Sequence, residues 1–348
     1  MKKVLKSLLV FTLAISMVLS LAGCGGEKKV QLKVYNWGDY IDQSVIGDFE
    51  KKYNIDVVYD EFATNEEMYA KIKAGADDYD ILVPSDYAIK RMIDEDMLYK
   101  LDMSNIPNYK YIDDRFKDLA YDPTNEYSVP YMWGTVGILY NKTMVKEPVD
   151  SWKILWDEKY SKQILMLDSL RDSIGITLKM MGYSLNTKDE KELNEAKELL
   201  IKQKPLVLAY VGDEVKDKMI GGEAALAVVW SGDAIYMKRE NPDLEYVIPK
   251  EGSNIWFDAV VIPKSSQHKK EAELFINYLC ETEVAFKNAD FIGYATPHVE
   301  AKKMLPVDLT SDKSAYPEDG DLKNSEVFED LAGSLPKYDR IWTEVKSK

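Results

Sequence analysis

Indoles, phenols and carboxylates recur in this sequence just after short apolar runs. Trp37, Asp39 and Tyr40 follow residues 31–35, and Ser85 and Tyr87 follow 80–84. Asp168 follows 164–167 with Asp172 close behind, and Trp230, Ser231 and Asp233 follow 224–229. A further apolar run, 255–262, contains Trp256-Phe257-Asp258. If that run is a strand, its period of two places Trp256 and Asp258 on one face and Phe257 on the other. Aromatic faces attract cations and methylene groups, and carboxylates accept charged hydrogen bonds, so this set of side chains suits an elongated organic cation. A lone Trp at a strand end is more often core filler, and a lone Asp is usually solvated. The recurrence of acid with aromatic at several strand ends carries the reading.

Catalytic chemistry fits less well. The sequence has no Gly-x-Ser-x-Gly elbow and no Gly-x-x-x-x-Gly-Lys loop, and Gly221-Gly222 precedes a strand-like run. Asp168, Asp172 and Asp258 offer carboxylates for a secreted glycosidase, but nothing selects two of them as an unequal acid/base pair. The two histidines, His268 and His298, are far apart and the two cysteines are Cys24 and Cys280, so neither a zinc site nor any other metal or cofactor is expected. An amino acid or opine ligand would require a strand-end cation for its carboxylate, and Arg171 is the one candidate. Forty-five Lys plus Arg stand against 60 Asp plus Glu, a net charge of -15, which argues against a nucleic-acid partner.

These side chains need a scaffold that gathers strand ends. At 348 residues the chain has material for about two domains. Residues 31–35, 41–53 and 55–62 read as strand, helix and strand, and Thr64-Asn65-Glu66-Glu67 has the spacing of a capping box ahead of a helix over 68–74. Strand-like runs at 80–84, 136–140, 164–167, 206–209 and 224–229 alternate with helical stretches such as 190–203. This alternation predicts an α/β fold with mostly parallel sheet covered on both faces, and ligands then bind beyond the carboxyl ends of the strands. Short extended runs with Gly at 131–134 and 249–252 are the candidate crossings between two α/β lobes, which would hinge about a ligand.

The first 23 residues carry Lys2, Lys3 and Lys6 and then an apolar run over 7–21, the pattern of a secretory signal rather than of a stable membrane span. Leu21-Ala22-Gly23-Cys24 resembles a bacterial lipobox, which implies cleavage before Cys24, lipidation of that cysteine and a tether over 24–29. Loss of the three lysines takes the net charge from -15 to -18. The expected mature protein is acidic, extracytoplasmic and held to the cell membrane by a lipid anchor.

Six segments in order resemble a known family: Val34-Tyr35-Asn36-Trp37-Gly38-Asp39-Tyr40-Ile41, Asp80-Ile81-Leu82-Val83-Pro84-Ser85, Tyr127-Ser128-Val129-Pro130-Tyr131-Met132-Trp133-Gly134, Val229-Trp230-Ser231-Gly232-Asp233-Ala234, Trp256-Phe257-Asp258 and Ile292-Gly293-Tyr294-Ala295-Thr296-Pro297. Together they are similar to the spermidine/putrescine-binding component of bacterial ABC importers. The resemblance implies a two-lobed, flytrap-like periplasmic-binding-protein fold with a third crossing near residue 303. One lobe would hold 30–133 and 256–302, and the other 134–255 and 303–348. It implies that Trp37, Tyr40, Tyr87, Trp230, Trp256 and Tyr294 line the slot, that Asp39, Asp172 and Asp258 meet the amines, and that Ser85 is a polar wall position. The implied partners are a polyamine, permease subunits and a cytoplasmic ATPase, with no catalysis. Two positions depart from the family pattern. Asp168-Ser169-Leu170-Arg171-Asp172 carries a hydroxyl where a second acid is usual, and Phe328 stands in place of Gln. Both spermidine and putrescine are expected to bind. The triamine is expected to be modestly preferred, with Asp168 or a hydroxyl meeting its middle amine; if Asp168 points away, the diamine wins.

Overall fold

The computed structural model describes residues 29–75 and 78–348. The chain opens with β1 (Gln31–Trp37), α1 (Gln43–Tyr53), β2 (Asp56–Phe62), α2 (Asn65–Lys73), β3 (Ile81–Leu82) and α3 (Asp86–Asp94). Asp42 caps α1 by accepting the Ser44 N–H at 2.8 Å, Asn54 ends it with φ 56°, and Val45, Ile46 and Phe49 form its buried face. In the capping box before α2, Thr64 accepts the Glu67 N–H at 3.1 Å, while Glu67 reaches back to the Ala63 N–H at 3.3 Å rather than to Thr64.

The long strand β4 (Ser128–Asn141) is followed by β5 (Ile164–Leu167), α4 (Leu170–Met181), α5 (Glu190–Gln203), β6 (Val207–Val211), α6 (Val215–Ile220), β7 (Leu226–Trp230), α7 (Ser231–Glu240) and β8 (Leu244–Val247). Then come β9 (Asn254–Val261), α8 (Lys269–Leu279), α9 (Thr282–Ile292), α10 (Val299–Met304), α11 (Val307–Thr310), β10 (Glu326–Val327) and α12 (Leu335–Ser347). Among the described residues no helix is long and apolar enough to cross a membrane. The signal segment, the lipobox and Cys24 lie outside the described residues.

The strands run in the order β2-β1-β3-β9-β4-β7-β5-β6, with β8 also on β4 and β10 on β9. Pairings β1–β2, β1–β3, β5–β6 and β5–β7 are parallel, as the strand-helix alternation predicts. The ladders of β4 with β9, β7 and β8 are antiparallel. The expected strand at 136–140 is only the second half of β4. Its first half, Ser128–Thr135, pairs with β9, and from Val136 onward it pairs with β7. The extended run expected at 131–134 belongs to this first half, and the register shifts between Pro130 and Met132, where proline cannot donate to the ladder. Thus β4 runs through both halves of the sheet, with β9 beside its first half. Buried side chains cover both faces, among them Tyr35, Met68 and Ile89 in the first half and Leu139, Val215 and Met237 in the second.

Candidate ligand-binding cleft

Parallel strands β1, β3, β5, β6 and β7 all deliver their carboxyl ends to one cavity of about 960 Å³, while each of the next two cavities holds about 20 Å³. A volume of this size is that of a small-molecule site. All eleven expected residues line it: Trp37, Asp39 and Tyr40 beyond β1; Ser85 and Tyr87 beyond β3; Asp168 and Asp172 beyond β5; Trp230 at the end of β7; Trp256 and Asp258 within β9; and Tyr294 after α9.

Asp258 is the most deeply set acid on the crossing strands. It is 5% exposed, its Oδ2 accepts the Tyr40 hydroxyl at 2.7 Å, and its Oδ1 is buried with no protein partner. Burial pushes its carboxyl up to about 7, against the pull of the Tyr40 hydrogen bond. Trp256 shares its face, packing edge-on to Tyr294 at 5.1 Å between ring centroids, and Tyr294 packs edge-on to Tyr40 at 5.5 Å. Phe257 points the other way, towards Phe116 and Tyr121. Two glycines make room for these rings. A Cβ on Gly134 would lie 2.5 Å from the Trp256 indole, and one on Gly232 would lie 2.2 Å from the Tyr294 ring. The Trp37 and Trp256 indole N–H groups and Asn254 Oδ1 are likewise buried without protein partners.

Asp172 sits in the first turn of α4. Ser169, the N-cap, accepts the Asp172 N–H at 3.3 Å and donates its hydroxyl to Asp172 Oδ2 at 2.7 Å, while Asn254 reaches Oδ1 at 3.4 Å. The Ser169 hydroxyl therefore aims the Asp172 carboxylate. Burial raises the Asp172 carboxyl to about 6, with those two hydrogen bonds acting in the opposite direction.

Asp39 and Asp168 are placed differently. Asp39 Oδ2 meets Lys216 Nζ at 3.1 Å and Asp168 Oδ2 meets Lys346 Nζ at 2.6 Å, and both acids are substantially exposed. Asp168 thus points to a lysine of α12. Asp39 itself has φ 51°, a left-handed conformation that Asp tolerates better than most residues.

Several lining residues were missing from the expected site. Asp86, between Ser85 and Tyr87, accepts the Tyr87 N–H at 2.7 Å and the Phe257 N–H at 3.0 Å, and burial raises its carboxyl to about 8. Its place beside Ser85 beyond β3 was the available signal. Asn65 donates to Ser85 Oγ at 3.0 Å and to the Tyr87 hydroxyl at 3.1 Å, fixing that wall. Asp233, noted in sequence beyond β7, lines the cavity with its carboxyl raised to about 6 by burial, opposed by Lys216. Phe328 enters from the segment after β10 and stacks under the Arg171 guanidinium, 4.2 Å from the ring centroid, with Tyr87 on the same cation at 4.9 Å. Arg171 also donates to the Glu329 carbonyl and to Asn186 Oδ1. Among the described residues no cluster of His, Cys, Asp and Glu could hold a metal ion.

Two α/β lobes joined by hydrogen-bonded crossing strands, with a single-molecule cavity at their strand ends, define a periplasmic-binding-protein fold. The chain belongs to the bacterial extracellular solute-binding protein family, whose model matches residues 44–317. The spermidine/putrescine-binding periplasmic protein of Salmonella typhimurium is 34% identical over 334 residues, spanning 95% of this chain and 96% of that one. A solved Listeria monocytogenes protein, assigned provisionally to spermidine/putrescine ABC transport, superposes with TM-score 0.88 at 46% identity, covering 91% of this chain and 98% of its own. The TpPotD lipoprotein of Treponema pallidum superposes with TM-score 0.82 at 31% identity, covering 91% of this chain and 100% of its own. The family is one of solute binders rather than enzymes, and it acts outside the cytoplasm.

Proposed function

We propose that the chain captures a linear polyamine, spermidine or putrescine, between its lobes and delivers it to the permease and ATPase of an ABC transporter. The observation that carries this is the buried, unpartnered Asp258 carboxylate oxygen set among Tyr40, Trp256 and Tyr294. An ammonium group beside Asp258 gains a charged hydrogen bond, and the aromatic rings cover the adjoining methylenes. Asp172 takes a second ammonium, Ser85 and Tyr87 form the polar wall, and Trp37 and Trp230 enclose the chain. Asp39 and Asp168 lie at the rim with their lysines. The relatives named above supply the polyamine class and the transporter. An anionic solute is disfavoured because both cleft cations are engaged, Arg171 by rings and neutral oxygens and Lys216 by acids.

The lobes are assigned as 30–133 with 256–302, and 134–255 with 303–348. The change of β4 partners between Thr135 and Val136 supports the first boundary. Calorimetric titration with putrescine, spermidine, amino acids and sugars tests the function. Binding of the two polyamines alone is expected, and binding of an amino acid or sugar in their place overturns it.

The anchor is proposed to be a lipid on Cys24, a reading supported by Leu21-Ala22-Gly23-Cys24 and by the Treponema pallidum lipoprotein's likeness. Metabolic labelling with a fatty acid is expected to mark the wild type, and Cys24→Ala is expected to abolish the label. Equal label in both would remove the anchor.

A further inference from the structure

The cleft carries an ammonium of its own. Lys216 Nζ, on α6 of the second lobe, lies 3.1 Å from Asp39 Oδ2 of the first lobe, 3.3 Å from Asp213 Oδ1 and 3.6 Å from Asp233 Oδ1. Its side chain is only 15% exposed. Burial opposes its charge, yet Asp233, Asp213 and Asp39 together hold it firmly protonated. At another edge of the cavity Lys346 holds Asp168, and lies over the Tyr210 ring at 5.2 Å. Asp258 and Asp172, in contrast, receive hydrogen bonds from neutral side chains, Tyr40 on the first and Ser169 and Asn254 on the second. These six acids thus divide into four with an internal cation, Asp39, Asp213, Asp233 and Asp168, and two without one, Asp258 and Asp172.

We infer that Lys216 is a specificity-determining residue: its ammonium occupies the Asp39–Asp213–Asp233 position that a further ligand ammonium would take, and biases the site towards the diamine over the triamine. The inference rests on the polyamine reading above. A triamine that reaches this end has to compete for Asp233, Asp213 and Asp39 with an ammonium already built into the fold, whereas a diamine held by Asp258 and Asp172 does not. Specificity here is a matter of excluding the longer ligand rather than of gripping the shorter one better.

Putrescine and spermidine are titrated calorimetrically into wild-type protein and Lys216→Met. The wild type is expected to prefer putrescine. In Lys216→Met the freed acids accept a third ammonium, and the spermidine-to-putrescine affinity ratio should rise by about tenfold or more. Should Lys216→Met fail to fold, Lys216→Gln, which keeps hydrogen-bond donors beside the acids, gives the same comparison. An unchanged ratio in a folded variant, or a wild-type preference for spermidine, overturns the role of Lys216 while leaving polyamine capture in place. Absence of binding to either polyamine by the wild type overturns both.

Discussion

Asp258→Asn is expected to bind polyamine at least ~30-fold more weakly than the wild type, since removing one partner of a desolvated charge pair costs about 2 to 5 kcal/mol. The same substitution is expected to raise the melting temperature of the ligand-free protein near pH 8. Both results follow from one atom: Asp258 Oδ1 is buried without a partner, so its charge is unfavourable until a ligand arrives. Asparagine retains an oxygen for the Tyr40 hydroxyl and removes the charge. Trp256→Leu should lose less affinity, because a cation over an indole contributes about 0.5 to 2 kcal/mol and leucine preserves part of the packing. Calorimetry and thermal melts decide this. Unchanged affinity in folded Asp258→Asn would take Asp258 out of the site. A tryptophan loss exceeding the Asp258 loss would mean a mainly apolar slot.

Polyamine affinity is expected to fall steeply on acidification. Burial raises Asp258 to about 7 and Asp172 to about 6 in the ligand-free protein. Each must ionise to hold an ammonium, so binding releases protons, and affinity should drop by ~30-fold or more between about pH 8 and pH 5.5. Stability of the ligand-free protein follows the opposite course. These carboxyls have folded values above their unfolded ones, so the native state binds more protons in between. Their contribution to stability is complete below about pH 4 and is lost as pH rises through about 6 to 7. Between pH 6 and pH 8 the ligand-free melting temperature should therefore fall, while the shift produced by putrescine grows. The window excludes ion-paired acids such as Glu95 and Glu147, both lowered to about 2 chiefly by hydrogen bonds from lysines. A flat affinity profile across this range would show that neither acid changes protonation on binding.

The strand ends were legible because parallel β-α units announce themselves by alternation, and the residue after each run is then placed by topology alone. Trp256 and Asp258 were legible through the period of two. The lysines that pair with Asp39 and Asp168 were not, because Lys216 and Lys346 stand 177 and 178 residues from their partners. Local pattern assigns a charge to a surface without naming what it meets there. Asp86 was passed over because an acid between Ser85 and Tyr87 reads as solvated, whereas two backbone N–H groups draw it inward. The long β4 was read as two separate pieces, 131–134 and 136–140, since the neighbour that joins them into one strand is supplied more than a hundred residues later.

The ladder from Ser128–Val261 to Thr135–Ile255 makes the crossing a two-stranded ribbon instead of two separate strings. A ribbon of this kind resists sliding and stretching and yields to bending and twisting, so the halves part along few coordinates. Asp258 and Trp256 are set in the ribbon, the expected pivot, whereas Asp172 and Trp230 belong to α4 and β7 on the far side of it. A solute that touches only the pivot exerts no turning moment. One long enough to reach both is expected to convert attraction into torque, so that the length of the solute, as well as its charge, would govern closure.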